Sequence, residues 1–100
     1  MKVTINGSEY DFRVTGTVGL VYLAERSLGC PYDHTDKYHN LVLYYCAFVS
    51  SNKGKDIPDV MEFISCLTTK LLANISQYFW YEWERLEGIN VAKEDTQGED

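Results

Sequence analysis

The stretch Leu41-Val42-Leu43-Tyr44-Tyr45-Cys46-Ala47-Phe48-Val49 constrains this chain more than any other: nine residues without a charge. As a strand it would be buried on both faces. As a helix it would be apolar all round and sit at the centre of a packed domain. Its surroundings decide for a helix. Asp36 is a good N-cap. From there Tyr38, Leu41, Val42, Tyr45, Phe48 and Val49 follow three- and four-residue steps through about Ser51. Leu43, Tyr44, Cys46 and Ala47 cover the other sides, apolar where a solitary domain is usually wet.

The rest of the chain must cover this helix. Met1–Val14 reads as a β-hairpin, because Asn6-Gly7 suits a type I′ turn with positive φ at both central residues. A two-residue turn sets Ile5 opposite Ser8, Thr4 opposite Glu9, Val3 opposite Tyr10, Lys2 opposite Asp11 and Met1 opposite Phe12. Met1, Val3, Ile5, Tyr10 and Phe12 then share one face, and Lys2 and Asp11 pair on the other. A lone hairpin is unstable, so its apolar face must lie on the helices or on a second copy of the chain.

Val18, Val21, Tyr22, Ala24 and Leu28 mark a helical stripe, with Thr15 or Thr17 as its cap, Glu25 and Arg26 on the wet side, and Gly29 as its stop. Asn52-Lys53-Gly54-Lys55 is a turn. Asp56-Ile57-Pro58-Asp59 predicts a third helix capped at Asp56, with Pro58 in its first turn and Val60, Phe63, Ile64 and Leu67 as its face. A break at Thr68-Thr69 precedes a fourth helix with the stripe Leu72, Ile75, Phe79, Trp83 and Leu86, ending before Gly88. The expected fold is α+β: an N-terminal hairpin and about four helices in one domain over 1–88, with an acidic disordered tail over 89–100.

Composition excludes several functions. The formal net charge is -6 and the nine basic residues are scattered, which argues against nucleic acid, whose affinity rests on Lys and Arg neutralising phosphates. Three cysteines (Cys30, Cys46, Cys66) are an odd number at wide spacing and predict free thiols in a reducing cytoplasm. The opening residues alternate rather than forming a leader-like block, and the longest apolar run is far short of the ~20 residues of a membrane helix.

No chemistry-bearing motif stands out. Cys30, His34, His39 and Cys46 are metal-ligand types, but they lack paired zinc-site spacing. His39 and Cys46 lie roughly 10 Å apart along a helix, too far to share one ion, so neither metal nor cofactor is expected. A Cys/His nucleophile needs a polar, partly exposed thiol, and Cys46 lies in the most apolar stretch. Glu82, Glu84 and Glu87 read as a solvated helix face. Asn74-Ile75-Ser76 is a glycosylation pattern inside an expected helix.

The aromatic cluster Tyr78-Phe79-Trp80-Tyr81-Glu82-Trp83 is different. Successive helix residues are ~100° apart, so five aromatics in six positions cannot all face one core. Either a second layer of the chain covers Trp80 and Tyr81 or they are exposed; as exposed residues they are, with Tyr44 and Leu43 from the central helix, the expected protein-contact residues.

The order of elements carries a resemblance. A short hairpin (Val3–Phe12) is followed by a helix ending Glu25-Arg26-Ser27-Leu28-Gly29. A central helix with Cys46-Ala47-Phe48 comes next, then Asp56-Ile57-Pro58-Asp59-Val60 with Glu62-Phe63, then Glu82-Trp83-Glu84-Arg85 before Gly88. Over roughly residues 1–88 this resembles the small tail assembly chaperones of siphophages and prophages. The resemblance implies a non-enzymatic role: binding the long helical tape measure protein, keeping it soluble and bringing tail tube subunits to it. It transfers no functional residue. The alternative of another class is a small self-assembling structural component of a phage tail or mobile element, a homo-oligomer whose hairpin pairs across a dimer.

Overall fold

The computed structural model describes residues 1–88 with their side chains and residues 89–99 by backbone alone, so the side chains of the expected tail at 89–99, and Asp100, fall outside the described residues. The chain order is β1 (Lys2–Ile5), β2 (Ser8–Asp11), α1 (Val18–Leu28), α2 (Lys37–Ser51), α3 (Val60–Ser65) and α4 (Thr69–Glu99). This is the expected α+β architecture of a hairpin followed by four helices.

The hairpin turns where Asn6 and Gly7 adopt φ of 54° and 81°. Antiparallel pairing sets Lys2 opposite Asp11, Val3 opposite Tyr10, Thr4 opposite Glu9 and Ile5 opposite Ser8, the register that a two-residue turn imposes. Val3, Ile5 and Phe12 are buried, and Lys2 meets Asp11 at 2.6 Å on the wet face. The apolar face lies on helices of the same chain. Tyr10 meets Phe48 of α2 edge-on at 5.1 Å, and Phe12 meets Tyr78 of α4 at 6.0 Å.

The hairpin is also bonded along its outer edge. Met1 and Phe12 exchange both backbone bonds, at 2.8 Å each. Antiparallel pairs alternate, so the backbone groups of Asp11 point away from β1. Asn52, the buried residue that follows α2, meets them as a third strand would. Its Oδ1 accepts from Asp11 N–H at 3.0 Å, and its Nδ2 donates to Asp11 C=O at 2.8 Å. The same Nδ2 donates to the Phe48 carbonyl at 2.7 Å, satisfying an orphan at the end of α2. One residue earlier, Ser51 Oγ accepts from Arg13 N–H at 2.9 Å.

The central helix forms as its cap predicts, with Asp36 Oδ1 accepting from the N–H groups of Tyr38 and His39 at 2.9 and 3.3 Å. It is covered on every side. Val42, Leu43, Tyr44, Cys46, Ala47 and Phe48 are all buried, and α1, α3 and α4 each pack against it. The expectation that Leu43, Tyr44 and Ala47 form a surplus apolar side is therefore corrected: α1 and α4 take up that side.

Four local expectations change. Thr17 occupies the N-cap position of α1 but makes no side-chain capping bond. The inward face of that helix is Leu20 and Ala24, not Val18 and Tyr22. The cap of α3 is Asp59, whose side chain accepts from Glu62 N–H at 2.9 Å, rather than Asp56. Pro58 explains the shift, since it drives Ile57 out of the helical region and the helix begins after it. Thr68 does break α3 from α4, its Oγ1 accepting from Leu71 N–H at 3.0 Å. Gly88 lies inside α4 rather than beyond its end.

Removing the Asn52 carboxamide strands the Asp11 N–H and two carbonyls. Asn52→Ala is therefore expected to cost about 2–3 kcal/mol and lower Tm by roughly 10 °C. Asn52→Asp keeps the shape but sets a carboxylate against two carbonyls, and should cost at least as much at neutral pH. Thermal melts followed by circular dichroism check both; a change under ~0.5 kcal/mol for either would mean that the pairing is dispensable.

Candidate functional site

The four expected contact residues do not form one surface. Leu43 and Tyr44 are 0% and 4% exposed and belong to the core. Trp80 is half-buried and turned toward Tyr44, donating from Nε1 to the Tyr44 hydroxyl at 2.9 Å. That hydroxyl donates onward to Ser76 Oγ at 3.1 Å. Phe79 is fully buried, with the Tyr44 ring 5.0 Å away and Trp83 stacked at 5.4 Å. Most of the aromatic cluster thus builds the α2–α4 contact. Tyr81 alone of the four faces solvent, at 68% exposure.

Among the described residues, α1 gathers three exposed large hydrophobic side chains, whereas Tyr38, Met61 and Tyr81 stand singly on α2, α3 and α4. Val18 is 82% exposed, Tyr22 58% and Leu23 42%. Arg26 stands over the Tyr22 ring at 6.0 Å. This helix is apolar on two sides. Leu20 and Ala24 go inward, and Val18, Val21 and Tyr22 form a second stripe that none of the described residues covers completely. Periodicity alone cannot say which stripe is the core: the expected stripe Val18, Val21, Tyr22, Ala24 and Leu28 mixes the two, and of its members only Ala24 is buried.

Shallow grooves flank the α1 ridge. One, of about 530 Å³, is lined by Leu23, Arg26, Ser27, Tyr45, Cys46, Val49 and Ile57. A second, of about 320 Å³, runs between α1 and α4 and is lined by Thr17, Val18, Val21, Tyr22, Glu25, Trp83 and Glu87. These are apolar hollows with charged margins. They suit side chains of a partner better than a small molecule, which needs an enclosed pocket with convergent polar groups.

The nucleophile and metal candidates resolve into ordinary contacts. Cys30 is exposed, with its Sγ 3.8 Å from His39 Nε2. His39 Nδ1 accepts from the Asp33 N–H at 2.9 Å, so a neutral ring carries its proton on Nε2. Nε2 then faces Cys30 as a donor, and the lone pair that a general base would use is already taken. His34 enters through its backbone, its carbonyl accepting from Asn40 Nδ2 at 3.0 Å. Cys46 is buried, and burial pushes its thiol above the ordinary range. Glu82 is paired with Arg85 at 3.0 Å, which holds its carboxyl below the ordinary range. Among the described residues, no three His, Cys, Asp or Glu side chains group closely enough to hold a metal ion, and no helix is long and apolar enough to cross a membrane.

The loop between α1 and α2 is held by Tyr32. Its N–H donates to Glu25 Oε2 at 2.8 Å, and its hydroxyl donates to the Asn40 side-chain carbonyl. Burial, with the nearby Tyr44 and Asp33, pushes the Tyr32 phenol up to about 12 from 10.0. Below pH 10.0 both folded and unfolded chains keep this proton; between 10.0 and about 12 the unfolded chain loses it first, so folding stability falls across that window. Tyr32→Phe is expected to flatten this alkaline decline, read as melting temperature from pH 9 upward; an unchanged slope would assign the decline to other groups. Thiol labelling supplies a second check. Cys30 should react with an aromatic disulfide reagent in the native protein, whereas Cys46 should react only on unfolding. In comparisons with known proteins, no family model, no curated protein and no solved structure matches this chain.

Proposed function

We propose that this chain is a non-enzymatic protein-binding domain that works as a phage tail assembly chaperone in the bacterial host cytoplasm. It keeps the tape measure protein soluble and recruits tail tube subunits to it. The observation that carries protein binding is the outward stripe of α1, where Val18, Tyr22 and Leu23 stand in solvent between two hollows. Burying such side chains against a partner is worth roughly 1.5–3 kcal/mol for each one fully covered, before the cost of association. The assembly role rests on the resemblance in element order over roughly residues 1–88. An acidic surface is in keeping with it, because net charge keeps an exposed apolar ridge from self-association.

The rival, a self-assembling component whose hairpin pairs across a dimer, has less support. The outer edge of β2 is taken at Asp11 by Asn52, and Ser51 bonds Arg13 just beyond the strand, which removes part of the template a partner strand needs.

Co-expression tests the proposal. The tape measure protein of the same genome, produced alone, should partition into the insoluble fraction, and it should become soluble and co-purify when this chain is present. An unchanged soluble fraction, or no co-purification, would refute the chaperone role. Light scattering at two concentrations separates the rival, which requires a stable homo-oligomer from the chain alone.

A further inference from the structure

We infer that the hollow between α1 and α4 is the seat of one amphipathic helix from a partner protein, whose apolar stripe is flanked by Lys or Arg. The inference rests on the protein-binding proposal and assigns the site and the chemistry of its occupant. On α1, Val18, Val21, Tyr22 and Glu25 fall at i, i+3, i+4 and i+7, the spacing by which one helix presents a seam to another. On α4, Trp83 and Glu87 lie one turn apart and form the facing wall. The bottom is apolar and one margin is acidic.

Three observations select the occupant. Both walls are helices, whose backbone groups past the first turn of α1 are used within the helices, so recognition must come from side chains rather than from strand addition. Among the described residues the hollow is lined by two carboxylates and no Lys or Arg; Arg26 lines the hollow on the other side of α1 and stands 6.0 Å from the Tyr22 ring. Glu25 gives one oxygen, Oε2, to the Tyr32 N–H, which holds the carboxylate at the margin. A second copy of this chain would bring the same carboxylates against each other, and each copy carries a net charge of -6. Like charges meeting across an interface are disfavoured and cations are attracted. A basic helix fits where a second copy does not.

Two synthetic helical peptides with the same Leu stripe test this, one flanked by Lys and one by Glu. Binding is read by calorimetry at low and high salt, using the intact chain, Val18→Ala/Tyr22→Ala and Glu87→Gln. Both sites are on the surface, and circular dichroism verifies that each variant stays folded. The Lys peptide is expected to bind at least about tenfold more tightly than the Glu peptide, to weaken with salt, and to lose about tenfold with either variant. Equal binding of the two peptides overturns the basic occupant, and Lys-peptide binding unaffected by Val18→Ala/Tyr22→Ala overturns the site. Concentration-dependent dimerisation of the intact chain that the same double variant abolishes would assign the seat to a second copy and overturn it as well. If Val18→Ala/Tyr22→Ala still solubilises the tape measure protein as well as the intact chain does, the site is wrong and the chaperone role stands; if the intact chain fails to solubilise it, the chaperone role itself falls.

Discussion

The carboxamide of Asn52 joins the two parts of this fold that sequence order keeps apart. It uses both its donors and one acceptor position on backbone groups, reaching Asp11 of the hairpin and Phe48 of the central helix. A two-stranded ribbon has too few ladder bonds and too little buried face to persist alone. Here one edge gains a short substitute strand from Ser51 and Asn52, and one face gains the rings of Phe48, Tyr78 and Phe79. The link is local to α2, since Asn52 follows Phe48 by one turn. The ring of Phe48 and the side chain of Asn52 therefore address the same hairpin from one end of one helix. Packing supplies most of the free energy, and the directed bonds fix where the hairpin lies.

Burial of α2 on all sides then determines the other contacts. Its Phe48 meets Phe63 of α3 at 4.9 Å, and its Tyr44 meets Phe79 of α4 at 5.0 Å. Tyr44 brings a polar end into that contact, and its hydroxyl is satisfied on both counts, accepting from Trp80 and donating to Ser76. The arrangement makes Trp80 part of the support of the core rather than a free anchor. No buried side-chain polar atom among the described residues lacks a partner.

Elements with one strong local signal were legible in the sequence. The Asn6-Gly7 turn fixed the register, the uncharged run from Leu41 required a central helix, and Asp36 marked where it starts. What failed was the assignment of faces where a helix is apolar on two sides. α1 offers Leu20 and Ala24 on one side and Val18, Val21 and Tyr22 on another; both fit helical periodicity, and tertiary packing alone chose between them. The same limit misplaced Leu43 and Tyr44, because nothing in their own neighbourhood reveals that α1 and α4 cover them. The role of Asn52 was illegible for a related reason. An Asn ahead of Lys53-Gly54 signals a turn, and the turn is real, with Gly54 at φ 83°. The backbone it bonds is 41 residues away in sequence.

The location of surplus apolar surface follows from this distribution. A domain of this size buries only about 60–65% of its unfolded surface, so it cannot cover every apolar side of every helix. The central helix takes priority because three helices and the hairpin converge on it. α3 and α4 each turn their strongest stripe inward, through Phe63 and through Ile75 and Phe79. The largest cluster of that excess falls on α1, the helix whose inward residues are smallest: Ala24 and Leu20 suffice to seat it against α2, and its bulkier Tyr22 is left outside. A helix packed through small residues sits close to its neighbour and leaves its large ones free. The exposed ridge is therefore a consequence of how α1 is anchored, and the acidic margin at Glu25 and Glu87 gives that ridge a preference among partners.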